Sequence, residues 1–301
     1  MTDQLRGVLY ASVTAFFWGF LAIALKAATQ KFEVVNLVWF RFVFAFIVLF
    51  AYYLIVDRKQ LKILIQPPLL LLIAALGLAL NYYGFTNGVH HTSPSTAQVV
   101  IQFGPILLGL VGFVFFKEKI NKIQMLGFGI AFVGLALFYF NQISEILDEE
   151  KHVFNLGFFW VVIGALAWLT YASLQKILVK SYNSQVLNLV IFGLPAFIYT
   201  PFVSFTAFSG ISISDWLLLI FLGANTLIAY GCLSMAFKYA DVNKVSVVIT
   251  LNPIITFITM ALLFKFDVNW IDAKPMDFYT WVGAVMVIAG AVFVVYFRKR
   301  G

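Results

Sequence analysis

Residues 93–117, SPSTAQVVIQFGPILLGLVGFVFFK, and residues 241–265, DVNKVSVVITLNPIITFITMALLFK, carry one pattern twice, 148 positions apart. Each starts among polar residues, continues almost without charge, holds a proline at the same place (Pro105, Pro253) and closes on Phe-Lys (Phe116-Lys117, Phe264-Lys265). About 20 apolar residues at a rise of roughly 1.5 Å each form a helix that crosses the hydrocarbon core of a bilayer. Ser95, Gln98, Gln102 and Pro105 stand at i, i+3, i+7 and i+10, along one helical face, and Asn243, Ser246, Thr250 and Pro253 occupy the same four places. A buried amide or hydroxyl needs a partner, so two such stripes face a neighbouring helix or a wet cavity rather than lipid.

Composition extends that reading to the whole chain. Of 301 residues, 62% are apolar, 18% aromatic and 11% charged, whereas a soluble domain is about 25% charged. The mean hydropathy of +0.96 leaves too little polar surface to cover a globule in water. Apolar runs between polar clusters predict ten spans near 7–26, 35–56, 68–88, 94–116, 122–140, 156–175, 184–204, 215–237, 243–264 and 279–297. No room is left for a catalytic head. The apolar stretch Val8 to Leu25 after Arg6, with Ala22-Ile23-Ala24 behind it, imitates a cleavable leader. Its match to a mid-chain segment argues for a retained helix.

That match belongs to a longer one. An offset of 150 superposes Gly7 on Gly157, Ala15 on Ala165, Trp18 on Trp168 and Lys26 on Lys176; an offset of 147 places Tyr83-Gly84 on Tyr230-Gly231; and 156 aligns Gly127 with Gly283 and Gly134 with Gly290. Two repeats of five spans, residues 1–140 and 156–301 joined by an extracytoplasmic connection at 141–155, are expected. Five is odd, so the second repeat is inserted upside down, a plan common in secondary transporters. With both termini cytoplasmic, the inner segments hold 14 Lys and Arg against 5 in the outer ones, with Arg41 inside a span, which satisfies the positive-inside rule. The expected fold is therefore an all-α integral membrane protein of ten transmembrane helices in two inverted five-helix repeats.

The chain resembles the EamA-type ten-helix transporters of the drug/metabolite transporter superfamily. The resemblance is carried by Phe17-Trp18-Gly19 in the first span, Arg41 early in the second, the prolines of the fourth and ninth, Glu118 just after the fourth, and the glycine-spaced fifth and tenth. It covers essentially the whole chain and implies a bacterial inner-membrane carrier that exports small metabolites, often amino acids, through a central cavity. The ninth span departs from the fourth, with Phe266 where the repeat would place Glu118. Glu118 is read as a cytoplasmic end charge beside Lys117 and Lys119.

The candidate substrate-binding residues are Gln98, Gln102, Ser246 and Thr250 from the two stripes, Tyr83, Asn87, Tyr230 and Ser234 from the third and eighth spans, the additional amide Asn81, the paired Trp18 and Trp168, and Arg41. For each, interhelical packing is the alternative. Pro105 and Pro253 lack an N–H and are expected to kink their helices, releasing the carbonyls of Ile101 and Ile249. Arg41 has no Asp or Glu within the ten apolar cores to pair with; it either snorkels to the membrane surface or faces the cavity and attracts a substrate carboxylate.

Several function classes recede. There is no P-loop, and Cys232 is the single cysteine, which allows no intrachain disulfide and no thiolate metal cluster. His90-His91 has no evident third ligand, so no metal or other cofactor is expected. The net charge of +7 follows topology and does not indicate nucleic acid. Without an intramembrane carboxylate, a proton relay is not evident, and facilitated diffusion or exchange is favoured over proton-coupled pumping. The reading is an exporter of amino acids or related metabolites, aromatic and apolar ones favoured, working as a monomer by alternating access. A carrier of another metabolite or drug class and a structural membrane protein are its rivals.

Overall fold

Thr2, Ser93, Asn183 and Ser212 start helices, because each side-chain oxygen accepts a backbone N–H of the first turn that has no partner inside the helix. Ser212 forms a full capping box with Asp215. A computed structural model of the protein describes residues 2–118, 121–138, 140, 152–268, 270–271 and 277–296. The expected connection at 141–155 lies outside them up to residue 151, as do Lys119, Lys274 and the terminal Arg298-Lys299-Arg300.

The helices are α1 (Asp3–Ala28), α2 (Val34–Val56), α3 (Leu69–His91), α4 (Pro94–Ile101), α5 (Phe103–Val114), α6 (Lys122–Phe138), α7 (His152–Leu178), α8 (Ser184–Tyr199), α9 (Ile213–Tyr239), α10 (Val242–Ile249), α11 (Asn252–Lys265) and α12 (Phe278–Tyr296). No strand occurs among the described residues. Eight segments are long and apolar enough to cross a membrane, with α4 and α5 forming one of them and α10 and α11 another. The other two of the ten expected spans are shorter apolar helices, Lys122–Phe138 and Phe278–Val294.

Packing follows the small residues. In lipid, apolar burial does not by itself favour helix association, so helices approach where glycine removes the obstacle. α3 lies against α7 along Gly84, Gly88, Gly157 and Gly164: a Cβ on Gly84 would come within 2.5 Å of the Trp160 carbonyl oxygen. α6 lies against α12 in the same way, and a Cβ on Gly290 would come within 2.5 Å of the Gly127 carbonyl oxygen. α1 packs on α9, and α2 on α8 and α9. Phe16, Ile47, Phe103, Phe132 and Phe197 point outward and are exposed, an apolar exterior that suits acyl chains.

Two ends of the bundle are tied in matching ways. Lys26 donates to the carbonyl oxygens of Val89, His90 and Thr92 at 3.1, 3.0 and 2.6 Å, closing the C-terminal end of α3. Lys176 donates to Phe237 and Ala240 at 2.8 and 2.7 Å, closing the C-terminal end of α9 at the opposite face. A cation there satisfies orphan carbonyls and complements the helix dipole.

A central cavity between broken helices

The fourth and ninth spans are each interrupted, at Gln102 between α4 and α5 and at Thr250–Leu251 between α10 and α11. Pro105 and Pro253 sit in the first turn after each break, where a missing N–H is tolerated. The two breaks touch: Gln102 Nε2 donates to Asn252 Oδ1 at 3.1 Å. Sequence reading singled out Gln102 but passed over Asn252, which precedes Pro253 and carries no amide counterpart in the fourth span.

The same depth of the bundle holds α1. The carbonyls of Phe17, Trp18 and Gly19 accept in turn from Asn225 Nδ2 of α9 at 2.6 Å, Gln98 Nε2 of α4 at 3.2 Å and Thr256 Oγ1 of α11 at 2.6 Å. Three consecutive carbonyls of one helix are thus bound by three other helices. Gly19 permits this, since a Cβ there would press on Ile255 and on the Asn252 carbonyl oxygen.

Between these elements lies a central cavity. Its aromatic wall is Trp18, Tyr82, Trp168 and Tyr230. Trp18 meets Trp168 edge-on at 5.9 Å and Tyr230 at 5.3 Å, while Tyr82 and Tyr230 lie 5.5 Å apart. Its amides are Asn81, Gln98, Gln102 and Asn252. Asn81 Nδ2 donates to the Gly164 carbonyl at 2.9 Å, and Tyr230 donates weakly to Asn81 Oδ1 at 3.4 Å.

Arg41 also lines this cavity and is only 2% exposed. It does not snorkel. Its Nε donates to Thr226 Oγ1 at 3.2 Å, and its guanidinium carbon stands 4.1 Å over the Tyr82 ring, a cation–π contact. No ion pair to Arg41 is formed among the described residues. Ile191, 150 positions on in α8, is also buried.

Of the residues singled out from sequence, Trp18, Trp168, Arg41, Asn81, Gln98, Gln102, Pro105 and Tyr230 therefore surround one space. The others lie elsewhere. Tyr83 packs against Trp160 and Tyr199, and Asn87 donates to the Tyr83 carbonyl one turn back. Tyr82, not Tyr83, faces Tyr230, because the offset of 148 that relates Pro105 to Pro253 also governs the third and eighth spans. Ser234 belongs to a buried chain in which Gln175 donates to Ser234 and Ser234 to Asn188, each at 2.9 Å. Ser246 donates to the Pro105 carbonyl, Thr250 to that of Val247 at 2.7 Å, and both border a second, apolar cavity shared by α5, α6 and α10. Pro253 is buried in the first turn of α11 without lining the central cavity.

Glu118 needs a larger correction. It is not a loose end charge beside its lysine neighbours. Lys117 adopts φ 51°, which turns the chain back so that Glu118 N–H bonds the Gly112 carbonyl at 3.1 Å. The carboxylate then accepts the backbone N–H groups of Val242 at 2.7 Å and Asn243 at 3.0 Å, capping α10 from the other half of the chain. Partial burial pushes its pKa upward, and those two N–H groups pull it back. At the same end, Gln4 Nε2 donates to Asp241 Oδ1, and Lys244 Nζ donates to Gln4 Oε1. Among the described residues, no three His, Cys, Asp or Glu side chains are grouped so as to hold a metal ion.

The chain was compared with known proteins. The family model for EamA-like transporters matches residues 5–140 and again residues 155–296. A Haemophilus influenzae protein named as an uncharacterized transporter is 31% identical over 293 residues, which cover 96% of this chain and 94% of that one. The Escherichia coli K12 protein named uncharacterized inner membrane transporter YhbE is 30% identical over 293 residues, covering 95% of this chain and 90% of that one. A solved crystal structure superposes with a TM-score of 0.75 at 18% identity, covering 99% of this chain and 100% of that chain; the fold is shared.

Proposed function

The chain belongs to the EamA-like transporter family and is a multi-pass membrane transporter, and we propose that it exports small metabolites that join a carboxylate to an apolar or aromatic body, amino acids of that kind among them. The observation that carries this reading is Arg41, a buried cation without an anionic partner, facing a cavity walled by Trp18, Trp168, Tyr82 and Tyr230. A guanidinium in that setting gains most from a carboxylate, which it holds by two parallel hydrogen bonds. The aromatic faces bury the rest of such a molecule. Gln98, Gln102 and Asn81 orient it.

In this reading the two segments that match the same family model are inverted five-helix repeats, residues 1–140 and 156–301. Both termini lie in the cytoplasm of a bacterial cell, and the protein sits as a monomer in the inner membrane, in keeping with the name of the Escherichia coli relative. The paired lysine caps, Lys26 at one end and Lys176 at the other, support this arrangement. The repeats rock about the cavity so that it opens to each side in turn. Ser234, Ser246 and Tyr83 keep helices in register during that motion, Asn87 and Thr250 brace their own helices, and Pro105 and Pro253 mark where the fourth and ninth spans bend. Transport runs down a gradient or by exchange, since no carboxylate among the described residues lines the cavity to carry a proton.

Counterflow in proteoliposomes loaded with amino acids, organic acids, sugars, nucleosides and polyamines tests this directly. Protein-dependent efflux confined to carboxylates with apolar side chains is expected, and Arg41→Ala abolishes it. Efflux of sugars or polyamines alone would overturn the proposal.

A further inference from the structure

The central cavity is unbalanced in both charge and hydrogen bonding. Among the described residues, its one formal charge is Arg41, and no Asp or Glu lines it. Among the described lining side chains, Trp18 Nε1 and Trp168 Nε1 are buried donors without a partner, and Gln102 Oε1 is a buried acceptor without one. Asn252 Oδ1 is occupied by Gln102, and Asn81 Oδ1 by Tyr230. A buried donor without an acceptor loses hydrogen-bond energy that a ligand can restore, so the cavity is suited to a ligand rich in acceptors. Resting on the reading that Arg41 receives a substrate carboxylate, we infer that the site prefers net-anionic carboxylates without a free ammonium group (2-hydroxy, 2-oxo, desamino or N-acylated acids with an aromatic or branched apolar body) over the zwitterionic amino acids of the same side chain.

Covalent geometry forces the choice. In an α-amino acid the ammonium is two bonds from the carboxylate carbon, so docking the carboxylate on Arg41 holds the ammonium within a few ångström of the guanidinium. Only neutral groups are there to receive it: the Gln102 amide oxygen, the carbonyls at the break of α4 and the faces of Tyr82 and Tyr230. The Tyr82 face is already covered by Arg41. A zwitterion leaves the cavity with one uncompensated positive charge, whereas a monocarboxylate leaves it neutral. In a site of low dielectric, the repulsion between two such cations exceeds a factor of ten in affinity. Replacing the ammonium by a hydroxyl, a keto oxygen or an acylated nitrogen removes the repulsion. Hydroxyl and keto oxygens, or the acyl oxygen, also supply acceptors for Trp18 and Trp168.

The test is a matched ligand series with one side chain: phenylpropionate, phenyllactate, N-acetylphenylalanine, phenylalanine and phenethylamine. Each is measured for counterflow in proteoliposomes and for binding by tryptophan fluorescence of the purified full-length protein. The three anions are expected to bind and exchange at least tenfold better than phenylalanine, with no exchange of phenethylamine. Arg41→Gln, checked for monodispersity and helical content, is expected to collapse that tenfold gap. Wild-type protein that takes phenylalanine as well as or better than phenylpropionate would overturn the inference, leaving the carboxylate reading in place. Preference for phenethylamine, or no flux of any of the five, would overturn the carboxylate reading and the inference with it. The wild-type series stands alone if Arg41→Gln does not fold.

Discussion

Gln102 and Asn252 form a hydrogen bond of 3.1 Å at the points where two different transmembrane segments lose their helical continuity. The contact joins the first and second halves of the chain, and both residues line the cavity. A buried amide pair of this kind contributes about 1 kcal/mol net, and breaking it from one side leaves an orphan that costs about 1–3 kcal/mol. Gln102→Ala and Asn252→Ala are therefore expected to couple in a double-mutant cycle by at least about 0.5 kcal/mol in thermal stability. Both single variants lose transport. Additive stability effects would show that the two breaks act separately.

Arg41 separates stability from function. A buried charge without an ion-pair partner weighs against the fold, and apolar replacement of such groups is often neutral or stabilising by about 1–4 kcal/mol. Arg41→Met is expected to keep or raise the melting temperature in detergent while abolishing carboxylate counterflow. A variant that melts much lower would identify the bond to Thr226 and the Tyr82 contact as the chief role of the side chain.

At Glu118 the pH dependence has a definite sign. Its folded pKa lies above the ordinary carboxylate value, because desolvation outweighs the two backbone N–H groups; Asp241 adds to the rise and Lys176 opposes it. The group therefore contributes most to stability below the ordinary value, and that contribution fades as pH rises through the folded one. The melting temperature of wild type relative to Glu118→Gln is expected to be most favourable below the ordinary carboxylate pKa and to decline as pH rises above it. Glu118→Ala removes the cap of α10 altogether and costs about 0.5–2 kcal/mol at any pH.

The α6–α12 pair carries its own control. A Cβ on Gly283 would collide with the backbone of Phe138, and one on Gly290 would stand 2.5 Å from the Gly127 carbonyl oxygen. Backbone atoms cannot rotate away, so Gly283→Ala and Gly290→Ala should each cost about 1–3 kcal/mol by overpacking. Gly129 has nothing within 4 Å of a Cβ. Gly129→Ala should leave thermal stability unchanged or slightly raised.

Much of this molecule is legible in its hydropathy. The positions of the helices follow from where apolar runs stop, and the cavity residues Trp18, Trp168, Gln98 and Gln102 follow from polar or aromatic positions that recur between halves. Misplaced residues trace to specific causes. Reading the third span at an offset of 147 rather than 148 selected Tyr83 and hid Tyr82, a one-residue slip that turns a helix face by about 100°. The role of Glu118 was hidden because its partners are backbone N–H groups 124 and 125 positions away, and backbone donors leave no residue signature. The same holds for Phe17-Trp18-Gly19: the motif is visible, but its three carbonyls receive Asn225, Gln98 and Thr256 only once α9, α4 and α11 are packed around α1.

Arg41 in α2 and Ile191 in α8, 150 positions apart, are both buried and differ in charge. Two identical subunits assembled head to tail around a shared space must each contribute whatever residue the other does, so an arginine at this place would arrive in duplicate and the two cations would oppose each other. A lone guanidinium in the centre is open only to halves encoded separately within one polypeptide, where one copy keeps the charge and the other replaces it with a hydrocarbon side chain. A single chain with independent halves thus has access to a kind of ligand chemistry that a symmetric dimer cannot reach.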